Sequence, residues 1–171
     1  VMAIVEAVQQ LDPDRLAPLV GVGLPGPMDA AGRVARVCIN LPGWEQVPLA
    51  EWLEPQLQRR VTLANDGNCA VVGEAWTGAA RGYDDVLLLT LGTGVSTYTS
   101  ELNSSQNAAR SSTGVGGGVL LGGQLFSGHG GAAAEPGLIC VDPEGPPCNS
   151  GNRGSLEQYC SISALARVSP L

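Results

Sequence analysis

The chain reads as an α/β protein with an open sheet, and three stretches predict it. In VTLAND, residues 61–66, a β-branched apolar run ends at Asn65-Asp66. A small-residue stretch, GNCAVVGEAWTGAARG, continues at once as a helix to about Gly82. VLLLTLGTGV, residues 86–95, is a second strand ending in a glycine turn. A carboxylate at a strand-to-helix junction stands where an open α/β sheet forms its ligand crevice. With a glycine loop at a second strand end, the pair suits phosphoryl transfer to a hydroxyl: the carboxylate takes the proton and backbone N–H groups hold phosphate. Each signal also has a plainer reading. Asp66 can be a helix N-cap, and Gly92-Thr93-Gly94 can be an ordinary tight turn.

The remaining elements follow in order. Residues 1–15, VMAIVEAVQQLDPDR, form an amphipathic helix with Val1, Ile4, Val5 and Val8 on one side. Residues 16–29 are a buried strand breaking into a Gly-Pro loop, and residues 33–39 a short returning strand. Residues 40–49, NLPGWEQVPL, are a loop. Residues 50–60 are a helix with Pro55 near its first turns, leading into the strand at 61–65. The continuous apolar run at 86–92 predicts a strand covered on both faces. Residues 117–128 are a strand with a turn at Gly122-Gly123, and 128–137 a small-residue loop carrying Glu135. After a loop at 143–154, residues 155–168 form a helix capped by Ser155, with Glu157 in its first turn.

Composition narrows the function classes. The net charge of -7, with nine basic residues and no basic run, argues against a nucleic-acid surface. No apolar run approaches the roughly 18 residues of a membrane span, and the first residues lack the basic flank of a signal peptide. Five scattered cysteines read as reduced thiols of a cytoplasmic protein, not as a disulfide framework.

Residues 96–112, STYTSELNSSQNAARSS, are polar and aperiodic and read as a looped insertion. Thr93-Gly94-Val95 before them recurs as Thr113-Gly114-Val115 after them. With 96–115 removed the sequence becomes VLLLTLGTGVGGGVLLGGQL, a β-hairpin, so the insertion splits a hairpin at its turn.

Six segments in order, GVGLPGPMD, NLPGW, LANDGNCAVVGEAWTGAARG, LLLTLGTGV continued by GVGGGVLLGG, GHGGAAAEPG and CNSGNRGSLE, resemble the ROK family of sugar kinases and related repressors. NLPGW and the Pro-Gly-Pro loop are most similar to its glucokinase-like members. The resemblance implies an actin-like ATPase (ribonuclease H-like) fold of two α/β domains with sugar and ATP bound between them. Residues 1–65 would be part of a small N-terminal domain and 66–171 part of a large one. The implied activity is ATP-dependent phosphorylation of a hexose, glucose foremost, at its 6-hydroxyl. Asp66 would be the catalytic base. Asn40, Asn65, Glu135 and Glu157 would be sugar ligands, and Gly92, Thr93 and Gly94 the second phosphate loop. ATP with Mg²⁺ would be the cofactor, with a homodimer allowed and no nucleic-acid or membrane partner. A non-catalytic, repressor-type sugar binder is the alternative. Read from their residue types alone, Glu135 is a surface charge and Glu157 a helix N-terminal carboxylate.

The chain also departs from the family pattern. The family's D-x-G-G-T phosphate loop and much of its adenosine-binding part have no counterpart here, so a fragment incomplete at both ends, weakly active or inactive, is expected. The family's zinc pattern, Glu-x-Gly-His followed by Cys-x-Cys-Gly-x-x-Gly-Cys-x-Glu, has Leu138 for His and Ser150 and Ser155 for two cysteines. Cys148 alone remains of the four ligands that structural zinc needs, so no zinc is expected. His129, the one histidine, reads as a loop residue.

Overall fold

The computed structural model describes residues 1–38, 43–91, 114–148, 150–162 and 164–165. The chain forms two compact units. The first is Val1–Cys69 with Ser127–Ala133, and the second is Ala70–Phe126 with Ala134–Leu171.

The first unit opens with α1 (Met2–Leu11). Val5 is buried and Ile4 and Val8 pack beside it, as the spacing predicts, while Val1 stays exposed ahead of the helix. β1 (Leu19–Leu24) pairs in parallel with β4 (Arg60–Asn65), from Leu19↔Arg60 to Leu24↔Asn65. Parallel neighbours need a crossover. Here it runs through β2 (Ala35–Val37), β3 (Glu45–Val47) and α2 (Leu49–Leu57). β3 lies inside the stretch read as a loop and pairs antiparallel with β2. Three residues with one apolar position give no readable alternation. α2 buries Leu49, Ala50, Leu53 and Leu57 as one stripe against the core. Pro55 is its seventh residue, not a first-turn residue, and the helix stops three residues later at Gln58 in the left-handed region.

A clasp of charge fixes the return from α2 to β4. Arg33 donates two hydrogen bonds of 2.6 Å to the Glu54 carboxylate, one to each oxygen. Arg33 also donates to the Val61 carbonyl, and Glu54 accepts from the Val61 amide at 3.0 Å. The Arg33 bonds first, then the Val61 amide, hold the Glu54 carboxyl down at about 2. A depressed carboxyl contributes stability that is complete above its ordinary value of 4.5 and is lost as pH falls through about 2. Glu54→Gln should therefore melt a few degrees lower at neutral pH, and the gap should close between those two values. Melting curves at stepped pH check this, and a gap independent of pH would refute it. At the same end of β4, just before the strand begins, Arg59 pairs with Asp12, whose carboxylate also accepts from the amides of Leu16 and Ala17.

The helix α3 (Asp66–Thr77) follows β4 without a connecting residue. The second unit holds an antiparallel sheet of β5 (Val86–Leu91), β6 (Val115–Leu121) and β7 (Gln124–Leu125). β5 and β6 pair from Val86↔Leu120 to Leu91↔Val115, the hairpin expected across the polar segment. Residues 96–112 themselves lie outside the described residues. Contrary to expectation, β5 is not covered on both faces. Leu87, Leu89 and Leu91 are 65%, 53% and 61% exposed, because no described element packs on that side. The expected helix at 155–168 is also corrected. α4 spans Glu157–Cys160, and extended backbone at Ser161 interrupts it. Helical residues resume at Ile162 and at Ala164 and Leu165, and residues 163 and 166–168 lie outside the described residues. Ser155 does not cap it; its residue bridges to Cys140, as a short strand would. Among the described residues no helix is long and apolar enough to cross a membrane.

Candidate active site

The β4–α3 junction presents Asn65 and Asp66. Asn65, not Asp66, caps the helix: its Oδ1 accepts from the Asn68 amide at 3.0 Å. Its Nδ2 donates to the Gly26 carbonyl at 3.2 Å, tying the junction to the Pro-Gly-Pro loop. A carboxamide has two donors and two acceptor lone pairs, so Asn65 retains capacity for a ligand. Asp66 is exposed, with Oδ1 accepting from the Gly67 amide at 2.9 Å. Its charge reaches the neighbouring Cys69, whose thiol is pushed up by partial desolvation first and by Asp66 second. Cys69 is thus kept a neutral thiol. Asn68 is buried, and its Oδ1 has no partner among the described residues.

Glu135 and Glu157 belong to the second unit. Glu135 is exposed and precedes the single 3-10 turn Pro136–Leu138. That turn presses on β6: a Cβ on Gly137 would sit 2.0 Å from the Val115 carbonyl oxygen. Glu157 is half-buried beside Gly114, where a Cβ would meet its Oε2 at 1.9 Å. Its Oε1 accepts from the Cys148 thiol at 3.1 Å. The contacts of Gly26, Gly114 and Cys148 were not readable from the chain. The traces were that Gly26 and Gly114 fall in glycine-rich motifs and that Cys148 survives from the zinc pattern.

Asn40, Gly92, Thr93 and Gly94 lie outside the described residues. His129 is exposed in its loop.

The residues present do not fit the family's zinc. Leu138 offers no ligand atom, and the Cys148 thiol is engaged with Glu157. The Ser155 hydroxyl is buried without a partner among the described residues. Among the described residues no three His, Cys, Asp or Glu side chains gather as a metal site.

The sequence profile of the ROK family matches residues 1–97 and 103–170. The chain belongs to the ROK family. A glucokinase of Thermotoga maritima is 38% identical over 164 residues, 96% of this chain and 45% of that protein. A ROK glucokinase structure from Streptomyces griseus, in complex with glucose and AMPPNP, superposes with a TM-score of 0.77 at 34% identity, covering 97% of this chain and 46% of that one. A ROK hexokinase from Thermus thermophilus gives 0.72 at 33%, covering 98% and 49%. This ROK chain thus spans about half the length of the relatives it matches, and it carries their actin-like ATPase, α/β fold. The internal gap in the match, residues 98–102, falls inside the polar segment.

Proposed function

We propose that this ROK chain carries the hexose-holding and proton-accepting residues of an ATP-dependent hexose 6-phosphotransferase acting on glucose-type sugars in the cytoplasm. ATP with Mg²⁺ supplies the phosphoryl group. The observation that carries the reading is the division of labour at the β4–α3 junction. Asn65 performs the capping, so the exposed Asp66 carboxylate gives the helix only its Oδ1, on the Gly67 amide.

Asp66 accepts the proton of the sugar's 6-hydroxyl as that oxygen bonds to the γ-phosphorus of ATP and the bond from that phosphorus to the β–γ bridging oxygen breaks, ADP leaving with the bond's electrons. A loose phosphoryl transition state asks mainly for positioning and charge stabilisation, so one aligned base is sufficient proton chemistry. Asn65 and Asn40 orient sugar hydroxyls. Glu135 and Glu157 are acceptor-only when ionised, and each can take two adjacent hydroxyl donors. Gly92, Thr93 and Gly94 supply backbone N–H groups to phosphate.

Calorimetric titration with glucose, paired with transfer of a labelled γ-phosphate from MgATP to the sugar, tests the reading. Saturable glucose binding with label on the 6-oxygen is the expected result. Absence of binding to glucose and other hexoses would overturn the reading. Binding with no label transferred at any time would favour the non-catalytic sugar binder.

A further inference from the structure

The lobe at residues 139–160 keeps its shape by backbone pairing. Val141 donates to the Gly154 carbonyl at 2.8 Å and Leu156 to that of Ile139 at 2.9 Å. Gly154 donates to Pro146, and Cys148 to Asn152, both at 2.7 Å. Isolated bridges at Cys140↔Ser155 and Pro147↔Arg153 complete a small antiparallel clasp. Cys148 stands at its turn, closed by the Gly151 amide on the Cys148 carbonyl at 3.0 Å, and Glu157 follows the returning arm. Tyr159 ties the same arm back to Asp142 at 3.1 Å.

The side chains at this turn converge on one carboxylate. Cys148 is only 8% exposed, and its sulfur lies 3.1 Å from Glu157 Oε1. An ionised carboxylate only accepts, so the thiol is the donor. The other oxygen, Oε2, occupies the space a side chain at residue 114 would fill. An added Cβ there would also come within 2.9 Å of Glu157 Cδ and 3.1 Å of its Cβ. One oxygen is thus held by a hydrogen bond and the other is admitted by the lack of a side chain.

We propose that Cys148 and Gly114 are positioning residues that hold the Glu157 carboxylate ready for the hexose, a thiol clasp doing without metal what a metal-braced loop would do. The proposal rests on the assignment of Glu157 to the sugar. A glutamate side chain left to rotate must be ordered when its ligand arrives, and that ordering weakens binding. Here the ordering precedes the sugar. A thiol is a weak donor, so the carboxylate keeps most of its accepting strength for hydroxyls.

Glucose affinity of the wild type, Cys148→Ala, Cys148→Ser, Glu157→Gln and the double variant tests it. Cys148→Ala should weaken glucose about fivefold, the scale of freeing one long side chain. Cys148→Ser keeps a donor and should recover most of that loss. In the Glu157→Gln background, Cys148→Ala should have no further effect, because its target carboxylate is gone. Unchanged affinity in a folded Cys148→Ala, or an equal loss in both backgrounds, would overturn the proposal. The infrared S–H band that disappears in Cys148→Ser gives a readout independent of sugar. It should lie at lower frequency in the wild type than in Glu157→Gln, and an unmoved band would refute the clasp even if Cys148→Ala fails to fold. Should the wild type bind no hexose while the band shifts, the sugar assignment of Glu157 fails and the positioning role fails with it, leaving the hydrogen bond alone.

Discussion

Asp66→Asn is expected to cut phosphoryl transfer to glucose at least about a hundredfold, the lower end of what a positioned general base contributes. Asparagine keeps an oxygen that can accept from the Gly67 amide, but it cannot take a proton from a hydroxyl. Capping of α3 belongs to Asn65 and is untouched, so the variant should melt close to wild type. Glucose affinity should change less than turnover, because the lost interaction is one made as the proton moves. Initial rates with glucose and MgATP, measured beside calorimetric affinities, give both numbers. Near-normal turnover in Asp66→Asn would remove Asp66 from the mechanism. Equal loss of affinity and rate would recast it as a sugar ligand.

The second large effect is expected at the Pro-Gly-Pro loop. Gly26 has a φ of +85, and a Cβ there would lie 2.1 Å from the Val37 carbonyl oxygen. That oxygen is backbone, and Val37 is paired with Glu45 on β3, so it cannot swing aside as a side-chain tip would. Gly26→Ala therefore meets both a left-handed backbone, which costs about 1–2 kcal/mol for other residues, and a collision. Together these should lower the melting temperature by roughly 5–10 °C in a chain of this size. The same change moves the carbonyl that accepts from Asn65, so glucose affinity should fall with stability. Scanning calorimetry and a glucose titration of one preparation check both effects. A melting temperature equal to wild type would show that the loop yields freely.

The β4–α3 junction was legible because strand and helix meet with no linker, and the shift from β-branched to small residues marks the boundary. The β5–β6 pairing was legible because Thr-Gly-Val recurs on both sides of the polar segment, and the flanking strands pair as its removal suggested. What was not legible depended on partners distant in the chain. β3 exists because Val37 and Ala35 present edges to it. Asn65 and Asp66 are both good caps by type, and only the bond to Asn68 decides between them. The helix after Glu157 breaks because backbone extends at Ser161, in a stretch with no Gly or Pro to announce it. For Glu157, the sequence offered a helix-terminal charge or a ligand. The geometry adds the hydrogen bond from Cys148 and the close approach of Gly114, neither of which leaves a trace in local pattern.

Leu87, Leu89 and Leu91 stand in water on one face of β5, which among the described residues is also the edge of its sheet. A dye that fluoresces on apolar surfaces is commonly used to recognise loosely packed, partly folded states. This chain would brighten such a dye while folded, so dye binding alone would misreport its native state as a collapsed intermediate. Near-ultraviolet dichroism, which follows fixed side-chain packing instead of exposed apolar area, separates the two conditions.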